Sequence, residues 1–317
     1  MKYLKFSSHD HIQSLLSNQS FGDKLGNHVS TVSKLDGLYS NRATFALLII
    51  PTISIVSDFN SDSNSDEILK PILNIEQNPF NDGSKLLILG ELDSHSILKE
   101  IDKSVSDLKQ LETYRAIETK VYSEIVTSIF HAGKIPIVIG GNSRHTFHLS
   151  KSIGLEANSN LNLLDISSRF NLSFEKEMIN EDDLDAYQLN KYDAFGLSKN
   201  YVSAREYAFM STSKRIGFQW YDDCLHLTSL DKCVKLKNAV DFLQRNLGFK
   251  LDLNCMEGIS PSTASSSGFS VRDIRTFLKM LRKEEINFVH FCGFDSQIPA
   301  TKSILSFFIS DFIRNEN

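Results

Sequence analysis

Long apolar runs are missing from this chain of 317 residues. None approaches the roughly 20 consecutive apolar residues that span a bilayer, so no membrane partner is expected. The amino terminus lacks a leader-like run as well, because Met1-Lys2-Tyr3-Leu4-Lys5-Phe6 is followed at once by Ser7, Ser8, His9 and Asp10. Cysteine is sparse. Cys224, Cys233, Cys255 and Cys292 stand far apart with no Cys-x-x-Cys pair, which argues against a zinc site or a disulfide framework and for free thiols in a reducing cytoplasm. Concentrated basic charge is also absent: 34 Lys and Arg against 39 Asp and Glu give a net charge of -5 with both signs scattered, so no nucleic-acid surface is expected.

What remains is a chain long enough to bury a large core without staples. Thr44 to Ile50 (TFALLII), ended by Pro51, reads as a strand covered on both faces. Further strand-like runs are Lys85–Leu89, Ile135–Ile139, Leu161–Leu164, Tyr192–Leu197, Arg215–Gln219, Lys250–Asn254 and Asn287–Cys292. Helical spacing separates several of them: residues 8–18, a stretch through Ile68–Leu73, one long or broken helix from His95 to His131, then 201–210, 230–247 and 271–281, the last opened by the capping box Ser270-x-x-Asp273. The alternation predicts an α/β sandwich on a sheet of about eight strands, with no linker or repeat. Residues 1–317 read as one domain behind a peripheral lead-in, 1–43.

The acidic loop Ser57–Glu67 places Asp58, Asn60 and Asp62 like early calcium-hand ligands, but Ser63 replaces the glycine and Leu69 the closing glutamate. A solvated loop is the better reading. His145 and His148 share a helix face with no carboxylate alongside, and His290 and Cys292 share a strand face, so packing explains both pairs better than metal or thiol chemistry.

Three strand ends carry the most polar chemistry. Ile137-Val138-Ile139-Gly140-Gly141-Asn142-Ser143 turns sharply at two glycines, Leu164-Asp165-Ile166-Ser167-Ser168-Arg169 carries a carboxylate, two hydroxyls and a guanidinium, and Leu251-Asp252-Leu253-Asn254 ends on a carboxylate and a carboxamide. In order and spacing these resemble the ureohydrolase family of arginase, agmatinase and formimidoylglutamase, whose strands end in Gly-Gly-x-His, Asp-Ala-His-x-Asp and Asp-x-Asp. The flanks Gly133-Lys134-Ile135-Pro136 and Ser265-Ser266-Ser267-Gly268-Phe269-Ser270 are similar too, and formimidoylglutamase-like members look nearest. The resemblance runs from about Thr44 to the carboxyl terminus. It implies a three-layer α/β/α sandwich with a mostly parallel, arginase-like sheet, two manganese ions and frequent oligomers.

The departures decide what to expect of function. Transferred position by position, the six ligands become Ser143, Asp165, Ser167, Arg169, Asp252 and Asn254, so only Asp165 and Asp252 keep a metal-ligating carboxylate. The family's acidic residue after the last strand is replaced by Cys292-Gly293-Phe294, with Asp295 as a shifted substitute, and no histidine-glycine loop lies between Asn171 and Asp193. Two divalent ions bring a charge of about +4 and need anionic oxygens and imidazoles. The formal ligand charge here falls to about -1 against the family's -4, too little to neutralise two ions.

No cofactor is therefore expected, manganese being the one candidate if any binds. Arg169 is expected to pair with the surviving carboxylates in the ions' stead. The reading is a ureohydrolase-fold protein without its dinuclear site, acting as a binding protein or partner subunit: a homo-oligomer, a hetero-oligomer with an active relative, or a receptor for a small amidine or amino acid. The alternative is a hydrolase of linear amidine or guanidine C–N bonds with a single or altered metal site.

Overall fold

The computed structural model describes residues 1–17, 22–51, 65–172, 180–259, 267–293 and 299–315. Most of the acidic loop and Asp295 lie outside this set. The chain forms two compact units, Met1–Gly141 with Ile313–Asn317, and Asn142–Phe312.

The first unit runs β1 (Leu4–Phe6), α1 (His9–Ser14), β2 (Ser30–Thr31), α2 (Gly37–Ser40), β3 (Phe45–Ile50), α3 (Ser65–Leu73), β4 (Leu86–Leu92), α4 (Ser94–Lys99), α5 (Asp107–His131) and β5 (Ile135–Gly140). Its strands are ordered β1-β4-β3-β5, with β2 also on β4, and only β1 runs antiparallel. Ala46 to Ile50 are all buried, as an apolar run in a covered parallel strand requires. The helix expected over 95–131 is broken: Asp102 accepts from the Ser104 amide at 2.8 Å and starts a turn between α4 and α5. Residues 1–43 supply β1, β2 and the fully buried Ile12. Lys134 ties them in, its ammonium donating to the Asn41 and Ala43 carbonyls at 2.8 and 2.7 Å, and burial lowers its pKa.

The second unit runs α6 (Ser143–Glu156), β6 (Leu161–Ile166), α7 (Asp182–Ala186), β7 (Leu189–Leu197), α8 (Ala204–Thr212), β8 (Ile216–Trp220), α9 (Ser229–Leu243), β9 (Leu247–Asp252), α10 (Val271–Leu281), β10 (Ile286–Cys292) and α11 (Pro299–Ile313). Its strand order is β10-β9-β6-β7-β8, all parallel. Parallel neighbours need crossover helices, and those helices cover both faces, which is why every residue of β6 is buried. The Ser270–Asp273 box caps α10 as the sequence predicts, and the Asp273 carboxylate also takes the Lys232 ammonium of α9 at 2.9 Å.

Ten strands are found among the described residues, two more than expected, because β1 and β2 are too short to leave a sequence period. The mostly parallel α/β sandwich itself is as predicted. From β6 the chain goes outward to β7 and β8, then returns to the other side of β6 with β9. Such a reversal opens a crevice at the carboxyl ends of the two strands flanking it, the usual ligand position in open parallel sheets. Asp165 on β6 and Asp252 on β9 stand at that point.

Candidate functional site

Asp165 sits near the carboxyl end of β6 with no solvent exposure. Its register partner on β9 is Lys250, so both side chains leave the sheet on the same face. Lys250 is equally buried, and its Nζ lies 3.0 Å from Asp165 Oδ1 and 3.2 Å from Oδ2. Burial alone would depress the ammonium's pKa, but the charges of Asp165 and Asp252 outweigh it and raise the pKa. The lysine is a resident cation.

Two neighbours complete the shell of Oδ2. The Tyr192 hydroxyl donates to it at 2.7 Å and the Asn171 Nδ2 at 3.1 Å. Burial, and then the Asp165 charge, push the Tyr192 phenol well above its ordinary range, so it stays a donor. Oδ1 has Lys250 beside it but no aligned hydrogen bond.

Asn171 links the other strand ends to this carboxylate. Its Oδ1 accepts from Ser143 Oγ at 3.0 Å, and its Nδ2 is also 2.9 Å from Ser167 Oγ and 3.0 Å from the Arg169 carbonyl. Ser143, the first residue of α6, and Ser167, just past β6, therefore meet through one carboxamide. Three of the six sequence-identified positions are brought together here: Ser143, Asp165 and Ser167.

Arg169 is not among them. Its side chain turns outward, and the guanidinium stacks over the Tyr201 ring, 4.4 Å from the centroid. The expected pairing with Asp165 is corrected: Lys250 supplies the counter-charge. The reason is geometric, since Lys250 is held in register inside the sheet, whereas Arg169 lies three residues beyond β6, where an aromatic face and water satisfy it without desolvation.

Asp252 ends β9 and is half-buried; its Oδ1 accepts from the Asn254 amide at 3.0 Å and caps the turn Leu253–Cys255. Gly293, at φ +71°, presses on this pair. A Cβ there would come within 1.8 Å of Asp252 Oδ1 and 2.6 Å of Asn254 Nδ2. The thiols of Cys255 and Cys292 are driven well up by burial and then by the Asp252 charge, so they stay protonated.

The histidine pairs are structural. His145 Nδ1 accepts from the Asn142 amide at 3.1 Å and closes the capping box of α6, while the His148 ring meets Tyr187 edge-on at 6.0 Å. His290 Nδ1 lies 2.6 Å from Thr146 Oγ1 with no exposure. Among the described residues, no three His, Cys, Asp or Glu side chains converge as a metal site would require.

Sequence reasoning missed Lys250, Tyr192 and Asn171. Lys250 left a signal that the expected strand, begun at Lys250, concealed: the strand starts at Leu247, so the lysine is a lone charge inside the apolar run Leu247-Gly248-Phe249-Lys250-Leu251, where a buried ammonium needs a carboxylate opposite.

No protein-family profile and no curated protein matches the chain. Solved structures do. The formiminoglutamase of Trypanosoma cruzi, solved with Mn2+2, superposes with a TM-score of 0.66 over 92% of this chain and 97% of its own, at 11% identity. Arginase from Bacillus cereus gives 0.63 over 87% and 100%, at 12% identity. A hypothetical agmatinase from Burkholderia thailandensis gives 0.62 over 88% and 86%, at 11%. At these identities the likeness is one of fold, and it is the arginase-like fold that the strand-end motifs implied.

Proposed function

We propose that this protein descends from the ureohydrolases, has lost their dinuclear manganese centre, and works as a non-catalytic binding protein or partner subunit. The reading rests on one observation, Lys250. An ammonium 3.0 Å from Asp165 Oδ1 stands where a cation would bind that oxygen, and its positive charge repels any ion brought there. The other donors fit two ions no better. Ser143 and Ser167 are neutral and joined through Asn171, Arg169 faces away, and Asp252 is engaged in a turn.

Hydrolysis of a guanidine or formimidoyl carbon by the family's route needs a metal-activated water. The residues here cannot replace it: no histidine contacts Ser143 or Ser167 among the described bonds, and the buried phenol and thiols keep their protons. What the crevice retains is a polar floor at a strand-order reversal, suited to binding a small amidine or amino acid.

Release of urea, ammonia or formamide from arginine, agmatine and formimidoylglutamate, each assayed with and without manganese, tests the reading. No turnover above the blank is expected. Manganese-dependent turnover of any of the three would overturn it.

A further inference from the structure

At the amino ends of β6, β7 and β9, opposite the end that carries Asp165, the second unit contains a recess of about 710 Å³. This volume is in the range of small-molecule sites, roughly 300–1,000 Å³. Its wall includes Asn160, Lys237, Gln244, Arg245, Asn246 and Glu284, and Val240 is its one aliphatic residue. So polar a lining suits neither a lipid nor an aromatic ligand.

The charges reduce to one. Lys237 Nζ lies 2.8 Å from Glu284 Oε1 and 3.1 Å from Asp241 Oδ1, so the ammonium and the two acids satisfy one another. The Arg245 guanidinium has no ion pair or hydrogen bond among the described residues, and neither do the carboxamides of Asn160, Gln244 and Asn246. Among the described residues of this open recess, one cation and three carboxamides thus keep their hydrogen-bonding groups available; Asn160, Gln244 and Arg245 are exposed and Asn246 is half-buried.

The turn presenting them is fixed and strained. Buried Asn162 donates from Nδ2 to the Arg245 carbonyl at 2.6 Å, and its Oδ1 accepts from Asn190 at 3.1 Å. Gln244 (φ 73°, ψ -107°) and Asn246 (φ 55°) both hold positive φ, which glycine would adopt without strain. The chain instead keeps two carboxamides on the wall of the recess. Strain of this kind, observed beside a cavity, points to use of the side chains it presents.

We propose that this recess binds a small hydroxylated monocarboxylate, its carboxylate paired with Arg245 and its hydroxyls hydrogen-bonded to Asn160, Gln244 and Asn246. A guanidinium fork matches a carboxylate in a bidentate manner, and a carboxamide pairs with a hydroxyl in either direction. The site stands apart from Asp165 and Lys250, so it is independent of the function proposed above.

Isothermal titration of the full chain with D-gluconate, sorbitol and acetate tests the assignment. Gluconate should bind, with sorbitol, which lacks the carboxylate, and acetate, which lacks the hydroxyls, weaker by about tenfold or more. Arg245→Gln should weaken gluconate by about tenfold. The double variant Gln244→Gly with Asn246→Gly should melt no lower than the parent, because glycine relieves the backbone, yet lose gluconate affinity. No gluconate heat at millimolar concentration, equal binding of sorbitol, or unchanged affinity in the glycine variant would each overturn it.

Discussion

Lys250 and Asp165 are register partners on adjacent parallel strands, and their charged ends meet 3.0 Å apart with neither side chain exposed. A buried ion pair of this kind is weak evidence of stabilisation as a unit, but breaking it from one side strands a charge in a low dielectric. Lys250→Met alone should therefore destabilise the fold by about 3–5 kcal/mol in urea unfolding. Asp165→Asn combined with Lys250→Met should recover most of that loss, since the amide still accepts from Tyr192. Additive losses in the double variant would mean that the two charges act separately.

Arg169 and Asn171, two residues apart, should behave oppositely. Arg169→Ala removes one exposed stack on Tyr201 and should change stability by no more than about 1 kcal/mol. Asn171→Ala removes the carboxamide that serves Ser143, Asp165 and Ser167 together and should lower stability by about 1–3 kcal/mol. Equal losses in thermal and urea melts would contradict the assignment of the counter-charge to Lys250.

Asp193, on β7, reports on pH. Its Oδ1 has no hydrogen-bond partner, and burial pushes its carboxyl up to about 7. An acid whose folded pKa is raised keeps its proton where the unfolded chain has lost its own. Stability from this group is thus complete below about pH 4, declines as pH climbs towards 7, and levels off above it. Asp193→Asn should match the parent near pH 4 and exceed it at pH 8 by about 1 kcal/mol or more. Parallel stability curves across that range would show that the carboxyl titrates normally.

Most of the fold was legible in the sequence because its strands are continuous apolar runs and its helices carry period and caps. Ala46–Ile50 and Ser270–Asp273 show each kind of signal. What escaped was β1 with three residues and β2 with two, both too short to leave a period, and α11, whose apolar residues are too dense to mark one face. At the site, chain position identified Ser143, Asp165 and Ser167, but it led to the wrong cation. Arg169 is nearer to Asp165 along the chain; Lys250 is nearer in space, through a strand pairing 85 residues away that no local pattern encodes. A lone lysine inside a buried strand was the available clue.

Manganese stoichiometry on protein purified and dialysed with excess manganese tests the central claim most directly. With Lys250 holding the place of a cation beside Asp165, metal analysis should find well under about one equivalent per chain, and added manganese should leave the melting temperature unchanged. About two tightly held equivalents per chain, accompanied by thermal stabilisation, would contradict the account.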